Sequence, residues 1–270
     1  MLRRVLGLVV AIAIVAPAQA HAVMGGSNVP AGAAPYAVAL LSGTSRDGED
    51  FQRVFCGGSV VGSRTVLTAA HCVSATRGRL EVLVGRTNLL DLGGRRVRVA
   101  AIAVHPAFDP VTFHADVALL TLAAPAGVTP VALPAPGDEP LSAPGGRATV
   151  LGWGDLAEGQ RTQTAWLQAA RVPIVSESAC AGAHGPTLLC AGTLGVDACQ
   201  GDSGGPLVVG AGGRTVQVGV VSNGRGCGAS AGSYVRLGAP EVASWTGRET
   251  ARLRAASKPA RPTRRARRAR

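Results

Sequence analysis

Asp197-Ala198-Cys199-Gln200-Gly201-Asp202-Ser203-Gly204-Gly205-Pro206 is the stretch on which the fold turns. It holds one serine in a Gly-x-Ser-x-Gly frame, Gly201 to Gly205. Glycines on both sides let the backbone bend sharply and leave open space at the hydroxyl. Alone the frame has two readings, a plain glycine-rich turn or a nucleophilic serine. The rest of the chain must decide between them.

Chain order does so. A serine on the nucleophile elbow of an α/β-hydrolase needs its histidine downstream, and the last histidine here is His184, upstream of Ser203. Subtilisin order would place an aspartate first, then histidine, then serine. The strong local candidates stand in the order His, Asp, Ser: Thr68-Ala69-Ala70-His71-Cys72, then Asp116-Val117-Ala118-Leu119-Leu120, then Ser203. The elbow reading fails.

The wider pattern is all-β. Apolar residues make up 47% of the 270 positions and aromatics 3%, so a core must be built from Val, Leu and Ala. The 37 glycines and 17 prolines suit short strands joined by tight turns. β-rich runs at 36–41, 59–65, 80–84, 96–104, 117–122, 147–151, 215–222 and 233–237 predict a sandwich or barrel. A Pro-rich stretch at 125–144 reads as an interdomain linker, and Pro240 before Glu241, Ala243 and Trp245 reads as a helix start. No regular alternation of strand with long helix is present, which argues against a parallel α/β sheet.

Both ends differ from the body. Arg3 and Arg4, the apolar run 5–16 and Ala18-Gln19-Ala20 form a signal-peptide pattern, too short to span a bilayer. Cleavage is expected after Ala20 or after Ala22, because Ala20-His21-Ala22 is also a small-x-small site. An exported protein is therefore expected, and its six cysteines read as disulfides, with many pairings open on spacing alone. The formal charge of +11 is unevenly placed: residues 251–270 hold nine basic residues and no acids, while 23–250 balance 16 against 16. A nucleic-acid-binding body is not indicated. The segment 257–270 has no apolar face and is expected to be disordered.

Val23-Met24-Gly25-Gly26, the His71 and Asp116 segments, Gly152-Trp153-Gly154, the Ser203 decapeptide and Ser222 with Gly224 occur in one order across residues 23–250. Together they resemble the trypsin-like (chymotrypsin-fold) serine proteases. The resemblance implies two antiparallel six-stranded β-barrels packed side by side with the active site between them, at about 23–125 and 145–238. A C-terminal helix at about 240–254 would follow. It implies Ser203 as nucleophile, His71 as general base and acid, and Asp116 as the group that holds the imidazole. The backbone N–H groups of Gly201 and Ser203 would form the oxyanion hole. Asp197 would lie at the floor of the primary pocket and select Arg or Lys, with Ser222, Gly224 and Gly232 around it. Val23 would carry the new N-terminal amine that pairs with Asp202. Cys56 would pair with Cys72, Cys180 with Cys190, and Cys199 with Cys227. His105, His114 and His184 are expected to be surface or packing residues.

Several positions depart from that pattern. Ala22, not Arg or Lys, precedes Val23, so signal cleavage after Ala22 would release the activating amine directly. Asn223 stands where the family usually has a tryptophan against the substrate. The segment 85–96 lacks the acidic pair of trypsin's calcium loop, and no structural calcium or other cofactor is expected. Arg225 beside the pocket rim reads as a solvated loop residue. Peptide or protein substrates and protein protease inhibitors are the expected partners of a monomer. The basic tail would contact anionic polymers or a membrane surface, or be expendable. The alternative to an enzyme is a protease-fold binding protein anchored by that tail; the presence of all three triad residues favours the enzyme.

Overall fold

The computed structural model of the protein describes residues 23–43, 49–76, 78–159, 163–180 and 185–256. The expected signal segment, His184 and the expected disordered tail lie outside the described residues.

After a two-residue strand, β1 (Ser27–Asn28), the first half of the chain forms β2 (Ala37–Ser42), a single helical turn α1 (Asp50–Arg53), β3 (Val54–Gly62), β4 (Thr65–Thr68) and a second helical turn α2 (Ala70–Val73). It continues with β5 (Leu80–Val84), β6 (Arg95–Val104) and β7 (Ala118–Leu122). These strands close as an antiparallel barrel in the order β2-β3-β4-β7-β6-β5, with β5 returning to β2. The residues are suited to it: Val38, Leu40, Val60, Val66, Leu67, Val82, Leu119 and Leu120 are all buried, and branched side chains pack well on a pleated surface.

The second half contributes β8 (Arg147–Gly152), β9 (Gln168–Val175), β10 (Leu188–Ala191), β11 (Pro206–Ala211), β12 (Arg214–Asn223) and β13 (Gly232–Arg236). They run in the order β9-β10-β13-β12-β11-β8, and the pairing of β8 with β9 closes the ring. β1 adds to the edge of β9. Along β9, Gln168, Ala170, Val172 and Ile174 are buried while the residues between them are less so, the period of a strand with one face on a core. Among the described residues Tyr234 is the largest of the fully buried side chains, and the next largest are Leu and Ile.

The expected two-barrel architecture is therefore present, with differences in local detail. The run at 59–65 spans the β3–β4 hairpin rather than one strand, because β-branched residues lie on both sides of the turn at Ser63 and Arg64. The one expected helix is α3 (Pro240–Ala256), and α1 and α2 add single turns too short to show a helical period.

Three features hold the barrels together. Within 125–144, the Val131 N–H donates to Val60 O at 2.9 Å, and Ala132 O accepts from the Gln217 N–H at 2.9 Å, so the linker is tied to both halves. The Ser59 hydroxyl donates to Gln217 Oε1 at 2.6 Å, with both residues fully buried. Helix α3 leaves the second barrel and packs back on the first: Val242 and Leu253 join its core, and Trp245 meets His105 edge to face at 4.9 Å. His105 is thus a packing residue.

Candidate active site

The pairing of β4 with β7 brings two distant residues to one end of the first barrel. Thr68 pairs with Ala118, so the chain leaving β4 into α2 and the chain entering β7 lie side by side. His71 is on the first and Asp116 on the second. His71 Nδ1 is 2.7 Å from Asp116 Oδ2, and the His71 backbone N–H donates to Oδ1 at 2.8 Å. The Ser222 hydroxyl from β12 donates to Oδ2 at 2.6 Å. Asp116 is fully buried, so its three hydrogen bonds compensate for lost water and orient the carboxylate. The Nδ1 contact makes that nitrogen the donor and leaves Nε2 as the acceptor.

Ser203 lies on the turn before β11, pressed against the first barrel. The Gly57 N–H donates to Ser203 O at 2.7 Å, and Thr68 Oγ1 donates to Gly57 O at 2.8 Å. Gly204 has φ +80°, and a Cβ there would fall 2.3 Å from Thr68 Oγ1 and 2.5 Å from Gly57 O. This contact explains why glycine must follow Ser203. The backbone N–H groups of Gly201 and Ser203 have no acceptor among the described residues, whereas Asp202, Gly204 and Gly205 do. The structure brings His71, Asp116 and Ser222 into contact but makes no His71–Ser203 hydrogen bond; His71 Nε2 is 3.6 Å from Cys72 Sγ.

Beside Ser203 opens a cavity of about 180 Å³, lined by Asp197, Gln200, Ser222, Asn223, Gly224, Gly226, Gly232 and Tyr234 among others. Asp197 is 1% exposed and accepts from the Ala198 N–H at 2.8 Å and the Tyr234 hydroxyl at 3.4 Å. Burial pushes its carboxyl up to about 7, against these hydrogen bonds. A Cβ on Gly232 would stand 2.6 Å from Asp197 Oδ1, so only glycine leaves the carboxylate its place. Ser222 lines the cavity, but its hydroxyl is turned to Asp116.

Behind the turn, Asp202 is fully buried and accepts from the Gly154 and Cys199 N–H groups, each at 2.8 Å. Burial pushes it up to about 7, and the charges of Asp197 and Asp155 add to the rise. Val23 is buried in the second-barrel core, and Met24 O accepts from the Asp197 N–H at 3.3 Å. In the full chain the Val23 nitrogen is an amide, and no contact between it and Asp202 occurs among the described residues. The disulfides are Cys56–Cys72, Cys180–Cys190 and Cys199–Cys227, so the cluster of Cys56, His71 and Cys72 offers no free thiolate to a metal.

The tertiary structure adds residues that the sequence did not point to. Phe113, at φ +57°, stands edge-on to His71 with ring centres 5.7 Å apart. In the segment 85–96, Arg86 donates to Gly93 O at 2.6 Å and to Asp50 Oδ2 at 2.5 Å, and Arg96 donates to Asp50 Oδ1 at 2.7 Å. Burial would raise the Asp50 carboxyl, but the hydrogen bonds from Arg96 and Arg86 hold it below the usual carboxylate range. No local motif signals the two Asp50 contacts, because Arg86 and Arg96 are 36 and 46 residues away from it in sequence.

The family model described as Trypsin matches residues 23–246. This chain belongs to the trypsin family. Among its relatives, a trypsin of Saccharopolyspora erythraea is 38% identical over 226 residues, covering 80% of this chain and 94% of that protein. A Sus scrofa trypsin is 33% identical over 217 residues, 76% of this chain and 85% of that protein. Human serine protease 56 is 41% identical over 233 residues, 80% of this chain but 37% of its own length. Protein or peptide substrates fit a trypsin-family serine protease. Among the described residues no helix is long and apolar enough to cross a membrane.

Proposed function

We propose that this protein is an exported endopeptidase that hydrolyses peptide bonds after Arg or Lys through an acyl-enzyme. The observation that carries this reading is the buried Asp197 carboxyl at the cavity beside Ser203. An apolar side chain would leave it unpaired, whereas a guanidinium or ammonium would pair with it. The difference amounts to several kcal/mol, or about 3–5 for a buried charge deprived of its partner. The name trypsin carried by the Saccharopolyspora erythraea and Sus scrofa relatives agrees.

In this reading the substrate's basic side chain enters past Gly224 and Gly232 and brings its carbonyl over Ser203. Binding closes the contact between Ser203 Oγ and His71 Nε2, which is open in the free protein; catalytic hydrogen bonds commonly tighten only in the complex. Ser203 Oγ attacks as Nε2 takes its proton. Asp116, held by Ser222 and the His71 N–H, stabilises the imidazolium without accepting the proton. The free N–H groups of Gly201 and Ser203 receive the oxyanion, where one donor is worth about 3–4 kcal/mol. The imidazolium then protonates the leaving amine, and water repeats the sequence on the acyl-enzyme.

Residues 1–22 act as the export signal. Release of Val23 supplies a cation for Asp202, which the full chain holds buried with N–H donors alone. N-terminal sequencing of exported protein tests this step; a stable His21 start with full activity would refute it. The specificity is tested with Arg, Lys, Phe and Val amide substrates. Hydrolysis of the first two, abolished in Ser203→Ala, is expected. Equal rates on Phe or Val would overturn the assignment to Asp197.

A further inference from the structure

Against one lining residue of the Asp197 cavity lies a second carboxylate that has no part in the steps above. Glu158 lies on the turn after Gly154 and is exposed. Its carboxylate rests on Gly226: a Cβ built there would stand 2.7 Å from Oε2 and 2.9 Å from Oε1. Gly226 is itself a wall of the cavity that has Asp197 at its other end. A side chain at position 226 would displace this carboxylate. Among the described residues Glu158 forms no ion pair; the nearest cation in sequence to this wall, Arg225, is exposed and not paired with it. Gly226 thus touches both the cavity that holds the buried Asp197 and the exposed carboxylate of Glu158.

We propose that Glu158 is a specificity-determining residue that recognises a second basic side chain on the substrate, so that peptides with paired basic residues are the preferred class. The inference rests on the Arg or Lys reading of Asp197. A peptide with one cation seated on Asp197 must cross the rim, and consecutive Cα atoms are about 3.8 Å apart, so a neighbouring side chain passes within reach of Glu158. Asn223, also on this wall, has no aromatic ring to compete for the same ground. Because Glu158 is exposed, the gain is modest, roughly two- to fivefold for a solvated ion pair, and it is sensitive to salt.

The test uses peptides with one central Arg and Ala, Arg or Glu at each flanking position. Cleavage is measured with wild type, Glu158→Gln and Glu158→Arg, and binding is measured by calorimetry on the same proteins carrying Ser203→Ala. Each variant's value for the Ala-flanked peptide is its own reference. At low salt, wild type should prefer Arg over Ala at one flanking position by about two- to fivefold, and the preference should fade near 1 M salt. It should vanish in Glu158→Gln and turn towards Glu in Glu158→Arg. The same flanking preference in all three proteins, or none in wild type, overturns the inference. If no Arg peptide binds or is cleaved, the Arg or Lys reading itself falls, and the inference falls with it.

Discussion

Replacing Asp197 with asparagine isolates the charge at the floor of the cavity. In the free protein, burial raises this carboxyl to about 7. A cation is bound by the ionised form, so affinity follows the ionised fraction. At pH 5, two units lower, roughly one carboxyl in a hundred is ionised, which is worth about 2.7 kcal/mol at 1.36 kcal/mol per unit. A small arylamidine should therefore bind roughly a hundredfold more weakly at pH 5 than at pH 8, as measured by calorimetry on Ser203→Ala protein to exclude turnover. Asp197→Asn should bind it weakly at every pH. Stability responds with the opposite sign. The folded-state value is above the ordinary 3.8, so the stabilising contribution of the protonated acid is complete below pH 3.8 and is lost as pH rises through about 7. Without ligand, Asp197→Asn should be more stable than wild type at pH 9, by an amount on the order of 4 kcal/mol, and equal to it near pH 4. Arylamidine affinity that is flat from pH 5 to 8, or equal in Asp197→Asn, would refute the reasoning.

Asp116→Asn should keep the fold but lower kcat by about 10⁴, because the amide loses one acceptor and favours the wrong imidazole tautomer; steady-state kinetics on an Arg amide with circular dichroism as a check reads both. Gly204→Ala should be destabilising and nearly inactive, since its Cβ would fall 2.3 Å from Thr68 Oγ1 on a backbone at φ +80°. Thermal denaturation and the Arg amide assay check this, and wild-type values in both would show that the turn is not held as described. Arg86→Met should cost about 3 kcal/mol, since it leaves Asp50 buried with Arg96 alone. Urea unfolding measures that loss, and a change under 1 kcal/mol would mean that Arg96 suffices.

Legibility in the sequence followed the range of the interactions. Ser203, His71 and Asp116 stood out because each sits in a short local segment, and their order along the chain excluded the other hydrolase folds. The all-β class was readable from the spacing of apolar runs, since strand period and turn chemistry are local. The boundary inside 59–65 was not, because propensity does not register a tight turn between two β-rich strands. Asp50 gave no signal of its own; its partners are 36 and 46 residues away, and only barrel closure makes them neighbours.

The amino-acid sequence by itself determined which chemical groups are available and where the backbone can bend: the glycine frame of Ser203, an even number of cysteines, and a carboxylate six positions before the serine. Only the tertiary structure decided what those groups experience. The register of β4 on β7 sets the His71–Asp116 distance, and Ser222 reaches Asp116 from the other barrel. The walls around Asp197 and Asp202 remove water and raise both carboxyls, while Glu158, against Gly226, stays exposed. Desolvation and electrostatic pairing depend on distances through space, which a list of residues does not contain.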